Sequence, residues 1–128
     1  MFEKVVKSRV LQVDSQEKWN LITSKPEYLD SPIIVNFTAN WCMPATAMEP
    51  LFEEQALIHK DAIFLSVDVD EVKGLMEKMK IKAMPTFIMM TPNKNQEREV
   101  MDKVVGANPN EIKKRIAAFI NLVRTDPK

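Results

Sequence analysis

Residues 33–44, Ile33-Ile34-Val35-Asn36-Phe37-Thr38-Ala39-Asn40-Trp41-Cys42-Met43-Pro44, run from a β-branched, nearly continuous apolar stretch straight into a turn that carries a cysteine. Such a stretch suits a strand buried on both faces, at the centre of a sheet. Beyond the turn, Met48, Leu51, Phe52, Leu57 and Ile58 recur at roughly helical spacing through about residue 59, and Pro50 should kink that helix. Cys42 therefore sits where a central strand hands over to a helix. Unpaired N–H groups and the helix dipole at such a place can stabilise a thiolate, which makes Cys42 a candidate nucleophile. The alternative is a buried cysteine that packs as a small hydrophobe.

Outward from this stretch the pattern is that of one mixed α/β sheet with helices on both faces. Val5 to Val13 reads as an extended opening segment, and Asp14 followed by Glu17 forms a capping-box pattern ahead of a helix bearing Trp19, Leu21 and Ile22. Ala62 to Val69 is a second strand, Asp70 or Glu71 starts a helix through about Met79, and Ile81 to Met84 leads into Pro85. Thr86 to Thr91 and Glu99 to Val105 are strands joined by a Pro92–Asn95 turn and should pair antiparallel. Asn108, Pro109 and Glu111 supply an N-cap, a proline at the first helical position and a glutamate that reaches back, ahead of Ile112, Ile116, Phe119, Ile120 and Val123. Residues 125–128 are expected to fray.

The chain has 128 residues, which suits a single domain over 1–128. Its 18 basic residues are balanced by 18 acidic ones, so nucleic acid is an unexpected partner. One cysteine forbids an internal disulfide, and one histidine beside it cannot complete a four-ligand zinc site, so no metal is expected. Asp68 and Asp70 lack companion ligands. His59, near a helix end, reads as a solvated or charged terminal group rather than a base for Cys42. Met89, Met90, Leu75, Met76 and Met79 read as core. No apolar run approaches the roughly 20 residues of a bilayer span, no secretory leader is evident, and a lone thiol is best kept in a reducing compartment, so the expected address is cytoplasmic and no membrane is expected.

The segment Phe37-Thr38-Ala39-Asn40-Trp41-Cys42-Met43-Pro44 resembles the active-site region of the thioredoxin family, and the resemblance runs from about Val10 to Val123. Pro50 looks like the family's kinking proline, Val67-Asp68-Val69-Asp70 like its strand end, Ala83-Met84-Pro85-Thr86-Phe87 like its cis-proline loop, and Val104-Val105-Gly106-Ala107 like its glycine-containing segment. The plant h-type branch is the most similar. The resemblance implies the thioredoxin fold, about five strands flanked by about four helices. It also implies that Trp41, Met43, Pro44, Met84, Pro85, Gly106 and Ala107 flank a groove for an extended cysteine-bearing peptide, held by backbone pairing at the residue before Pro85. Two of these have plainer readings: Met84 as core, and Trp41 as a cover for the turn.

The departures carry as much information. The family's dithiol motif is Trp-Cys-Gly-Pro-Cys; here Met43 replaces the glycine and Ala45 the second, resolving cysteine. Asn36 stands where the family has a buried aspartate, and Ser66 where it has a lysine partner. The set resembles the monothiol CXXS group, in which serine replaces the second cysteine, although Ala45 also lacks that hydroxyl. What the resemblance then implies is a monothiol exchange protein. Cys42 attacks protein disulfides or glutathionylated cysteines, and an external thiol such as glutathione completes the cycle as co-substrate, without a cofactor. Disulfide isomerisation or deglutathionylation is the matching activity. Other readings are a non-catalytic module that binds cysteine-containing client proteins, a variant that traps mixed disulfides, and a homodimer through Cys42. An iron–sulfur cluster bridged by two such thiols finds no supporting spacing.

Overall fold

The computed structural model describes residues 7–93 and 97–125. The start of the opening segment, Lys94 and Asn95 of the hairpin turn, and residues 126–128 of the tail lie outside the described residues. The elements in chain order are β1 (Val10–Val13), α1 (Gln16–Thr23), β2 (Ile33–Thr38), α2 (Met43–Ala47), α3 (Glu49–Ile58), β3 (Ile63–Asp68), α4 (Lys73–Lys78), β4 (Thr86–Met90), β5 (Val100–Val105) and α5 (Pro109–Thr125), with a short 3-10 turn at Pro26–Tyr28. The strands form one sheet in the order β1-β3-β2-β4-β5. β1, β3 and β2 are parallel, while β4 and β5 run antiparallel to their neighbours. This is the thioredoxin fold expected from the sequence, with α2 and α3 together filling the place of one kinked helix.

β2 lies in the middle, and all six of its residues are buried. Alternation divides them between two cores. Ile33, Val35 and Phe37 pack with Trp19, Ile22, Leu65, Leu75 and Ile81 on the α1 and α4 side. Ile34 packs with Phe52, Phe64, Phe87, Ile116 and Phe119 on the α3 and α5 side. Phe52 makes an edge-on contact with Phe64 at 5.2 Å between ring centres, the tilted geometry aromatic pairs favour. Met89 and Leu75 are fully buried, Met90 nearly so, and Met76 and Met79 pack against the core.

Several local details differ from the sequence reading. The N-cap of α1 is Ser15, whose hydroxyl accepts the Lys18 N–H at 3.1 Å, and not Asp14 one residue earlier. Pro50 does more than kink. Met48 ends α2 and opens α3, so the helix is broken into two, with the proline inside the first turn of α3 where its missing N–H removes no helical bond. α4 begins at Lys73 rather than at Asp70 or Glu71, because the Asp68 carbonyl accepts N–H groups from both Glu71 and Val72 and winds that segment into a turn. At α5 the Asn108 side chain caps the Glu111 N–H at 3.1 Å as expected, but the Glu111 carboxylate turns forward to Arg115 instead of back. A bulge at Met89/Met90 shifts the register at one end of the β4–β5 pair.

Arg98 holds the hairpin against the opposite layer. Its guanidinium donates to the carbonyls of Thr23, Ser31, Tyr28 and Thr91, tying α1, the 3-10 turn and the end of β4 to one side chain. Burial lowers its pKa, yet four aligned acceptors suit the charged fork. Arg98→Ala should cost about 2 to 4 kcal/mol, read in urea as a lower midpoint with an unchanged slope. Arg98→Lys, with fewer and differently aimed donors, should recover only part of it.

Arg115 joins α5 to β5 through paired bonds to Asp102, and these hold the Asp102 carboxyl below its ordinary range. A carboxylate with a depressed native pKa contributes stability above the unfolded pKa and loses it as pH falls through the folded one. Stability should therefore decline on acidification below the ordinary carboxylate range, and Arg115→Met should flatten that part of the curve.

Candidate active site

Cys42 is the N-cap of α2, with extended backbone, and its side chain is half-buried. Its N–H donates to the Ala39 carbonyl at 3.1 Å and its own carbonyl accepts the Thr46 N–H at 3.0 Å. The strand-to-helix turn thus holds the residue from both sides. The thiol faces the loop before β4 and donates to the Met84 carbonyl at 3.5 Å. The Met84–Pro85 peptide bond is cis. Met84 is half-buried and, like Cys42, packs on the edge of the α1 and α4 core.

The loop is fastened at both ends. Thr86 donates its hydroxyl to the Ala83 carbonyl at 2.6 Å, and the Gly106 N–H donates to the Pro85 carbonyl at 2.9 Å. Gly106 adopts φ +108°, a conformation that side-chain-bearing residues rarely take. The bond draws the end of β5, with exposed Val105 and Ala107, alongside the proline loop.

Trp41 and Met43 are 65% and 75% exposed, large apolar side chains standing beside a thiol rather than covering a core. Trp41 is not free, however. Its indole N–H donates to Asp70 at 2.7 Å, and the Asp70 N–H in turn donates to the Asp68 carboxylate at 2.9 Å. Sequence reading set both aspartates aside as a strand-end signature and missed this anchoring role. The available signal was a carboxylate just past a parallel strand next to β2, close to a tryptophan at the end of β2.

Pro44 lies in the first turn of α2 and is exposed, whereas Ala45 is wholly buried. Asn36 and Ser66 are direct cross-strand partners on β2 and β3, 1% and 8% exposed. Their face of the sheet lies under α3, opposite the core against which Cys42 packs. His59 caps the end of α3, the helix end at which the sequence reading places it, and is half-buried; burial lowers its pKa. Among the described residues no cluster of His, Cys, Asp and Glu is placed to hold a metal ion, and no helix is long and apolar enough to cross a membrane.

Comparison with known proteins agrees with this geometry. The family model described as Thioredoxin matches residues 10–118. The thioredoxin-like protein CXXS1 of Arabidopsis thaliana is 46% identical over 117 residues, covering 91% of this chain and 95% of that protein. The protein of the same name from Oryza sativa subsp. japonica is 39% identical, covering 87% and 80%. Among solved structures, the thioredoxin NaTrxh from Nicotiana alata superposes with a TM-score of 0.78 at 30% identity, covering 92% and 98%.

The Trp41 anchor can be tested directly. In Asp70→Ala the Trp41 indole N–H resonance should shift and exchange faster with solvent, while that of buried Trp19 stays in place. An unchanged Trp41 signal would refute the anchor.

Proposed function

Since this chain belongs to the thioredoxin family, a family of thiol–disulfide exchange proteins, we propose that it works as a monothiol catalyst through Cys42, with glutathione completing the cycle. The observation that carries the reading is the pairing of a half-exposed thiol at Cys42 with a buried, inert methyl group at Ala45. With a glutathionylated client, the Cys42 thiolate attacks the glutathione sulfur. The client leaves as its thiolate, and Cys42 is left in a mixed disulfide with glutathione. A second glutathione thiolate then attacks that disulfide, forming oxidised glutathione and restoring Cys42. The net change is an exchange: one free glutathione is consumed, the client sulfur is reduced to a thiol, and the glutathione it carried leaves as half of the oxidised glutathione. With a client holding a misplaced disulfide, attack and return by another client thiol rearranges the bond with no net redox change.

Trp41, Met43, Pro44, Met84, Pro85, Gly106 and Ala107 are the residues we assign to client contact. The exposure of Trp41 and Met43 supports this, as does the fastening of the proline loop to Gly106. A client strand would add to the backbone beside Pro85, with the methionines giving adaptable apolar contact. The clients are cysteine-containing proteins, and we assign the activity to the cytoplasm, where glutathione keeps thiols reduced.

The same exposed apolar rim favours a second reading, a client-binding or trapping module without turnover. Turnover of a glutathionylated peptide with glutathione in excess separates the two. Activity should vanish in Cys42→Ser, and its survival there would refute the catalytic assignment; absence of activity in the unaltered protein would leave binding alone. Thioredoxin reductase should not drive the unaltered chain. Ala45→Cys should supply an intramolecular resolving thiol and raise release of a protein-bound mixed disulfide by roughly tenfold or more, with far less dependence on glutathione.

A further inference from the structure

Even-numbered residues of β2 face α3, but they do not all meet apolar cover. Ile34 packs beneath Phe52, whereas Asn36 and Thr38, further along the strand, line a cleft of about 430 Å³ between α3 and strands β1, β3 and β2. That volume falls within the range of small-molecule sites. Asn36 is 1% exposed and Thr38 6%, and neither the Asn36 amide nitrogen and oxygen nor the Thr38 hydroxyl bonds to any described residue. Burying an amide with both ends unpaired is expensive, so the floor of this cleft is built for hydrogen bonds that the protein itself does not supply. It offers the two N–H donors and the carbonyl acceptor of the Asn36 amide, and a Thr38 hydroxyl that can donate or accept.

The walls add charge of one sign. Glu49 and Glu53 of α3, Asp68 at the end of β3 and Glu71 in the turn beyond it line the cleft, and no lining residue is basic. Phe52 and Val10 give it apolar walls, which concentrate the field of the carboxylates. No group of three acidic, histidine or cysteine side chains among the described residues converges on one metal position, so the negative charge is spread around a cleft of about 430 Å³ and not gathered at one point. Such a site fits an organic cation that also carries an oxygen.

We propose that this cleft is a binding site for a small protonated aliphatic amine bearing a hydroxyl group, distinct from the thiol site on the other face of the sheet. The ammonium donates to the Asn36 Oδ1 and Thr38 Oγ1 atoms, the ligand hydroxyl accepts from the Asn36 amide N–H, and the surrounding carboxylates balance the charge. Shape and charge are both required.

The test is an NMR titration of the full chain with 4-amino-1-butanol, beside its neutral analogue 1,4-butanediol and beside Nα-acetyl-lysine N-methylamide, which presents an ammonium as a protein lysine would. The amino alcohol should give saturable shifts centred on the Asn36 side-chain amide and the Thr38 and Ser66 backbone, and bind about tenfold or more tightly than the diol, about 1.4 kcal/mol. Added salt should weaken it. Asn36→Leu should abolish the response. Glu53→Gln with Asp68→Asn, at positions only partly buried, should weaken it about tenfold without dependence on repacking the floor. Cys42→Ser should leave it unchanged, which keeps this result separate from the fate of the thiol chemistry. Absence of saturable shifts, equal binding of the diol, or indifference to the carboxylate changes would overturn the proposal. Tighter binding of the lysine analogue would overturn the assignment to a free small molecule in favour of a protein side chain.

Discussion

The complete burial of β2 is the constraint on which the rest depends. A strand flanked by β3 and β4 and covered on both faces has no freedom of register, since a slip by one residue would exchange the two apolar cores and expose neither to a suitable partner. With β2 fixed, its end is fixed, and the chain leaves the sheet at Ala39 with Cys42 three residues on. The Ala39 carbonyl, itself at a wholly buried residue, accepts the Cys42 N–H. The position of the thiol is thus inherited from packing some distance away. The facing Met84 carbonyl is set in the same way, because β4 is the other neighbour of β2 and the loop leading into it must arrive beside the start of α2.

The central strand, the antiparallel β4–β5 pair and the amphipathic last helix were legible because each has a long period or a strong terminal signal: six buried residues in β2, the polar turn region between two apolar strands, and Asn108-Pro109 before the Ile112 and Ile116 stripe. Boundaries were less legible. Asp14 and Ser15 are both good caps, and only the tertiary path of the chain selects Ser15. Likewise Asp70 or Glu71 reads as a helix start, but the backbone spends those residues on a turn that carries Asp70 to Trp41.

Long-range contacts made by single polar side chains were not legible. Arg98 reaches four carbonyls from segments separated from it by up to 75 residues, and nothing local marks it. The substitutions at Asn36, Ser66 and Ala45 could be read as departures from a motif, but their spatial relation could not. The first two face each other across neighbouring strands under α3, while Ala45 is buried in α2. What replaces an ionisable pair on that face is therefore a neutral polar floor, a property of the sheet's alternation that appears only once the register is known.

The outer strand has a consequence for how copies of this protein meet. β5 ends the sheet and carries exposed Val100, Met101 and Val105, the composition of an edge that could add a strand from another molecule. The formal net charge is zero at pH 7, so long-range repulsion gives little protection. That protection falls to Asp102 and Lys103 in mid-strand, one gripped by Arg115 and the other reaching to the Lys80 carbonyl. Two fixed charges in an otherwise sticky edge make its colloidal behaviour a local matter, governed by a few ångströms of strand rather than by the charge of the whole molecule.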